Sequence, residues 1–186
     1  MIMQYDAMVF IGRFQPFHLA HWQTVKIALQ QAKQVILCLG SAQDERSLKN
    51  PFLASERQQM ILSNFDADEQ QRIVFVPIID VYNDVKWKAL VRQGVANCVA
   101  AQASIALIGH MKDESSYYLD LFPEWDTCSL DSLHGAISAT PLRHAYYQGK
   151  ILSQHFPAGT IEFLTQFQHS EAYHHLQQQF LQQHQS

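Results

Sequence analysis

The sequence is poor in cysteine and in charge, and it has no long apolar run. Its three cysteines, Cys38, Cys98 and Cys128, are odd in number and lack CxxC spacing. That excludes a disulfide framework and speaks against a zinc site; set in apolar segments, they read as free thiols of a reducing compartment. Charged residues make up only 16% of the chain, and 13 basic against 17 acidic side chains give a formal net charge of −4. Non-specific nucleic-acid binding needs a basic surface that displaces counterions, so nucleic acid is excluded as a partner and any anion site must be local. The first apolar run has no basic leader and is cut at Gly12-Arg13, too short for a signal peptide or a membrane span. The expectation is a cytoplasmic protein without a membrane partner. Repeats and low-complexity linkers are also missing. At 186 residues and 47% hydrophobic, the chain reads as a single domain over 1–186, with a core over about 1–150 and a helical extension over about 151–186.

What is present alternates. Apolar runs over Ala7 to Ile11, Gln34 to Ala42, Ile73 to Ile79, Ser104 to Gly109 and Trp125 to Leu130 read as strands. Between them lie helical stripes over His18 to Lys33 and about Val85 to Val99, the latter capped by Asp84 and weakened by Gly94, and a short helix over Ser115 to Phe122. Ser55 with Gln58 makes a capping box for a further helix. Val35 to Leu39 is continuously apolar, as a parallel strand covered on both faces must be. The expected fold class is α/β: a Rossmann-like, doubly wound parallel sheet with C-terminal helices and ligands beyond the carboxyl ends of its strands. A tail stripe of Tyr173, Leu176 and Phe180 suits docking on the body or on a neighbouring subunit, which permits a homo-oligomer. No carboxylate or cysteine completes a metal site with His174, His175 and His184.

Two segments carry chemistry. Residues 12–21, Gly-Arg-Phe-Gln-Pro-Phe-His-Leu-Ala-His, join the first strand to the first helix. A glycine lets a phosphate approach the backbone there, and a helix start aims unpaired N–H groups and a positive dipole end at the same place. His18 and His21, three apart, project from one face, and Arg13 adds a permanent forked charge. Residues 137–143, Ile-Ser-Ala-Thr-Pro-Leu-Arg, form a second anion-ready helix start, with Thr140 as N-cap, Pro141 at the first helical position and Gly149 as terminator. Arg143 in a first turn opposes the helix dipole unless it serves a bound anion.

The first segment resembles the GxFxPxHxxH signature of the HIGH-type nucleotidyltransferase superfamily, with Ala20 where a glycine usually precedes the second histidine. The second resembles its ISxTxxR signature. Asn50-Pro51-Phe52 with Glu56-Arg57, Asp80 to Asp84 followed by Trp87, and Gly109 through Leu119 are similar to nicotinamide mononucleotide adenylyltransferases of the archaeal type, including bacterial relatives fused to a Nudix hydrolase domain. The match spans about Val9 to Arg143, and no Nudix-like acidic helix follows it.

The resemblance implies adenylyl transfer from ATP to nicotinamide mononucleotide, giving NAD and pyrophosphate, with Mg²⁺ carried on the triphosphate. It implies that His18, His21, Arg143 and Arg13 are catalytic. It puts Gly12, Gly109, Ser138 and Thr140 with them at ATP, and Phe14, Arg46, Asp80, Asn83 and Trp87 at the mononucleotide. In that reading Trp87 stacks on the nicotinamide ring and Asp80 with Asn83 recognises its carboxamide, the acidic group disfavouring nicotinate. Without the resemblance, Trp87 reads rather as a core residue of its helix and Asp80 to Asp84 as an ordinary turn, while Lys112 reads equally as a phosphate contact and as a solvated loop lysine. Alternatives are another acceptor on the same fold (nicotinate mononucleotide, phosphopantetheine or a cytidylyl-accepting alcohol phosphate) and a nucleotide sensor without turnover.

Overall fold

The structure, a computed structural model, describes residues 3–110, 120–131 and 138–184. The short helix expected over Ser115 to Phe122 and the residue Lys112 lie largely or wholly outside them. The chain divides into two compact units, Met1–Arg13 with Gln23–Gln43 and Asp66–His134, and Phe14–Trp22 with Asp44–Phe65 and Gly135–Ser186.

The first unit holds a five-stranded sheet in the order β3-β2-β1-β4-β5, every pair parallel. Its strands are β1 (Tyr5–Gly12), β2 (Ala32–Leu39), β3 (Ile73–Pro77), β4 (Ile105–His110) and β5 (Asp126–Leu130). Val35 to Leu39 is wholly buried, the double coverage that its unbroken apolar run requires. Helix α1 (Leu19–Gln31) leads into β2 two residues earlier than the stripe suggests, so Lys33 lies in the strand. There it pairs with Asp6 at 2.7 Å. A five-residue helix, α3 (Ala67–Gln71), begins at Asp66, whose side chain accepts from the Glu69 N–H. Helix α4 (Asp84–Ala96) is capped by Asn83 rather than Asp84: the Asn83 side chain accepts from the Lys86 N–H. Gly94 is no weak point, because a Cβ there would overlap Val76 Cγ1 and the glycine lets α4 close on β3.

The second unit carries α2 (Ala54–Leu62), α5 (Ala139–Tyr147), α6 (Ala158–Phe167) and α7 (Glu171–His184). Helix α2 starts at Leu53, whose N–H donates to Glu56 Oε2, so the Ser55–Gln58 capping box does not form. Helix α5 likewise starts earlier than expected: Ser138 is its N-cap, without a side-chain cap bond, and Thr140 sits inside the first turn. Gly149 ends it with φ +81°, as its terminator role requires. Tyr173, Leu176 and Phe180 are all buried, and Tyr173 Oη donates to Tyr146 O at 2.7 Å while Gln177 Nε2 donates to Tyr147 O at 3.1 Å. The tail stripe therefore clamps the carboxyl end of α5.

Candidate active site

In the first unit the candidate residues gather at the carboxyl ends of the parallel strands. Strands β1 and β2 pair through Gly12 and Leu39, but pairing of β1 with β4 ends at Val9 and Leu107 although both strands continue. Because β1 connects outward to β2 on one side and lies beside β4 on the other, this parting falls at the switch point of the sheet. A parallel α/β sheet opens its ligand crevice there. Gly12 and the buried Gly109 flank it, and Arg13, exposed, follows Gly12.

Next along β4, His110 bridges α1 and the end of β5. Its Nδ1 lies 3.1 Å from Asp131 O and its Nε2 3.0 Å from Thr24 Oγ1. A carbonyl accepts only, so Nδ1 carries the proton and Nε2 receives the Thr24 hydroxyl. Beyond β2 and β3, the Ser41 hydroxyl donates to Asp80 Oδ2 at 2.6 Å and the Ser41 N–H to Oδ1 at 3.3 Å, with Ser41 held at φ +50°. The Asp80 N–H donates to Gln43 Oε1 at 3.0 Å. Asp80 thus faces a serine, and Asn83 spends its carbonyl on the α4 cap. Trp87 is half-buried on the core, with its ring 6.1 Å from Phe122.

The second unit holds the histidine pair. Phe14 takes φ +52°, a backbone turn rare outside glycine, and buries its ring edge-on to His21 at 4.9 Å. The His18 and His21 rings stack at 3.7 Å and 21°. The His18 N–H donates to His21 Nδ1 at 3.3 Å, so the neutral His21 ring keeps its proton on Nε2 and presents that N–H as a donor.

Arg143, although 94% buried, is held as a fork: Nη1 donates to Gln15 O at 2.8 Å and Nη2 to Thr140 Oγ1 at 3.2 Å. Gln15 in turn exchanges two hydrogen bonds with the Phe52 backbone, Nε2 to O at 2.8 Å and Oε1 from N at 3.0 Å. Tyr147 Oη donates to Leu48 O at 2.9 Å. Burial raises that phenol's pKa, and the Arg143 charge works against the rise.

Arg46 stands apart from these groups. Its Nη1 and Nη2 fork onto Glu56 at 2.6 and 2.5 Å, Nη1 also donates to Pro51 O, and the guanidinium lies over the Phe167 ring. The phosphate expected of it would have to displace Glu56. Among the described residues no three His, Cys, Asp or Glu side chains converge on a metal-sized site.

Sequence reading missed Gln15, Ser41, Gln43 and Thr24. Each is an uncharged polar residue whose part depends on contacts remote in the chain, and the sequence carries no signal for them. His110 was visible beside Gly109 but had no assignable partner.

Comparison with known proteins gives a consistent picture. The family described as cytidylyltransferase-like matches residues 9–114. A protein of Acinetobacter baylyi named nicotinamide/nicotinic acid mononucleotide adenylyltransferase is 60% identical over 95% of this chain and 94% of its own. A nicotinamide-nucleotide adenylyltransferase of Thermococcus onnurineus is 28% identical over 84% of this chain and 80% of its own. Among solved structures, a bifunctional NMN adenylyltransferase/ADP ribose pyrophosphatase from Francisella tularensis, complexed with AMP and a manganese ion, superposes with a TM-score of 0.85 at 37% identity. It is covered over 94% of this chain but only 52% of that one, so the chain spans about half the length of the bifunctional protein.

Proposed function

The chain belongs to the cytidylyltransferase-like family and, within it, to the mononucleotide adenylyltransferases of NAD biosynthesis, and from that premise we propose how its own residues perform the reaction. It is a nucleotidyltransferase: a phosphate oxygen of nicotinamide mononucleotide attacks the α-phosphorus of ATP, the bond from that phosphorus to the β-bridging oxygen breaks, and NAD and pyrophosphate result. What carries this reading is 60% identity sustained over 95% of the chain, together with both signature segments.

The nucleophile is a phosphate monoester that carries about −1.5 to −2 charges at pH 7, so no general base is required. The protein's task is to position two anions and to stabilise charge on the α-phosphoryl group and on the departing pyrophosphate. We assign His18 and His21 to the ATP phosphates, with the His21 Nε2–H as donor to the transition state. Arg143, already forked by Gln15 and Thr140, takes the leaving phosphates with Ser138 and Thr140 beside it. Gly12 and Gly109 admit the nucleotide to the sheet crevice, and Arg13 bridges the phosphates of the two substrates.

Mg²⁺ arrives as the complex with ATP and counts as substrate, since magnesium keeps most of its waters and few protein ligands. On the acceptor side Asp80, Asn83, Trp87 and Phe14 are assigned to the mononucleotide. Arg46 supports its loop through Glu56, the state in which it is seen, and reaches the acceptor phosphate only by exchanging that partner. Nicotinate mononucleotide is a second acceptor in this proposal, favoured by the name of the Acinetobacter relative. No described helix is long and apolar enough to cross a membrane, and the free thiols suit a cytoplasmic enzyme.

The test is pyrophosphate release from Mg·ATP with nicotinamide mononucleotide, nicotinate mononucleotide or phosphopantetheine as acceptor. Release with the pyridine mononucleotides, with NAD formed from the first, is expected. Release with phosphopantetheine alone, or with none, overturns the proposal.

A further inference from the structure

The turn that carries His18 and His21 rests on α2 and the residues flanking it. Gln15 pairs with the Phe52 backbone, Trp22 Nε1 donates to Asn64 O at 3.4 Å, and the Phe17 ring meets Phe65 edge-on at 6.3 Å. One further contact differs in kind: the Phe17 N–H donates to Met60 Sδ at 3.4 Å, and both residues are fully buried. A buried N–H needs an acceptor. A thioether accepts weakly and brings no hydrogen of its own, so it meets that need without adding a second polar group to satisfy. A leucine would fill the same space and leave the N–H without its acceptor.

This bond lies one residue before the histidine pair, within the same unit. Peptide groups are planar, so Phe17 φ and ψ are the only rotations between the Phe17 N–H and the His18 N–H. Both groups are pinned, the first by Met60 and the second by His21 Nδ1 at 3.3 Å. Together they fix the Phe17 backbone and with it the Phe17 ring, which stacks on His21 at 5.7 Å and 26°. The second bond keeps a lone pair on His21 Nδ1 and the proton on Nε2. Without the sulfur, the Phe17 peptide turns to relieve its unpaired N–H, and the His18 N–H is drawn off His21. The ring then takes either tautomer, and the one protonated on Nδ1 turns a lone pair towards a phosphate where a donor is needed.

We propose that Met60 is a positioning residue for adenylyl transfer: its sulfur fixes the peptide before His18 and, through the His18 N–H, holds His21 in the tautomer that donates from Nε2. This rests on the adenylyltransferase reading and on the place it gives His21. The bland alternative is a core methionine of α2 whose sulfur is incidental.

Two changes separate sulfur from shape. Met60→Leu removes the acceptor at that position alone. Norleucine in place of the five methionines removes every sulfur and keeps every side chain's length. Each protein is assayed with Mg·ATP and nicotinamide mononucleotide, and its His21 ring nitrogens are followed by ¹⁵N NMR at a pH where the ring is neutral. Met60→Leu should lower kcat by about five- to tenfold, the rate equivalent of one weak hydrogen bond, with the KM of both substrates within about twofold of wild type. The His21 signals should shift from one tautomer to a mixture of two. Norleucine should do the same to the wild type and cost Met60→Leu nothing further, since the other four sulfurs take no part.

A core role alone lowers the urea midpoint of Met60→Leu and leaves kcat and the His21 tautomer where they were, which overturns the inference. So does a loss that norleucine inflicts on the wild type and on Met60→Leu alike. Should Met60→Leu not fold, the norleucine wild type decides by itself, and an unchanged His21 tautomer in it is the overturning result. A wild type without turnover, whose His21 tautomer still follows the Met60 sulfur, overturns instead the adenylyltransferase reading.

Discussion

The side-chain amide of Gln15 replaces a missing strand neighbour for Phe52, pairing with both its N–H and its carbonyl, while the Gln15 backbone carbonyl receives Arg143. Buried at 2% exposure, this residue links the Phe52 backbone to Arg143, the arginine proposed for the leaving phosphates. Gln15→Leu strands two backbone groups without water, and each orphaned group costs about 1–3 kcal/mol. The expected result is a loss of about 4 kcal/mol in urea unfolding, the middle of the range for such a pair. The KM for ATP should rise as well, because the Gln15 backbone carbonyl that holds Arg143 is no longer anchored through its side chain to Phe52. A variant with wild-type stability and KM would remove Gln15 from this role.

The two histidines and Arg143 could be named as candidates from the sequence because their types and spacing are tied to phosphate chemistry. Gln15 was not, since a glutamine buried against a backbone segment 37 positions away looks like any other glutamine. Asp80 was legible as a polar group at a strand end, but its engagement by Ser41 was hidden.

Helix α4 and strand β3 meet where Gly94 faces Val76, and the missing Cβ sets how closely they pack. Gly94→Ala is favourable for an isolated helix by about 1 kcal/mol, so propensity alone predicts stabilisation. Overlap with Val76 Cγ1 predicts the reverse, a loss of about 1–3 kcal/mol by overpacking. Thermal melts decide between the two signs. Val76→Ala in the same chain should return most of the loss, because it removes the atom that clashes, and a double variant no better than the single one would place the strain elsewhere.

At this scale the positions and parallel type of the strands could be read directly, since unbroken runs such as Val35 to Leu39 have few other solutions. Helix starts were less legible: Asn83, Leu53 and Ser138 begin α4, α2 and α5 at sites where Asp84, Ser55 and Thr140 looked equally able. Capping is decided by local geometry among several competent neighbours, so sequence narrows it only to a few positions.

For the molecule as a whole, charge is scarce enough that single ion pairs become visible in its titration. Asp6 accepts from Lys33 at 2.7 Å and from the Ser104 N–H and hydroxyl at 2.9 and 3.0 Å. The Lys33 bond first, and then those from Ser104, lower its pKa from 3.8 to about 2. A carboxyl with a depressed folded pKa contributes stability that is complete above its ordinary value and is lost as pH falls through the folded one. Unfolding midpoints should therefore decline between about pH 4 and pH 2. Asp6→Asn should flatten part of that decline, and an unchanged acid limb would assign it to other carboxyls. The −4 charge and the cysteine pattern led the sequence reading to expect neither a nucleic-acid partner nor disulfides. The division into two units was not, because their segments alternate along the chain.

That alternation bears on how such a gene can be recombined. Each unit is assembled from three separate stretches, so a single crossover inside residues 14–134 gives both units mixed parentage. Ser41 and Gln43 lie in one stretch of the first unit and Asp80 and Asn83 in another, so exchanging the span that holds all four between two relatives also carries residues 44–65 of the second unit with it. Acceptor preference should therefore travel between lineages more cleanly by point substitution than by the shuffling of segments.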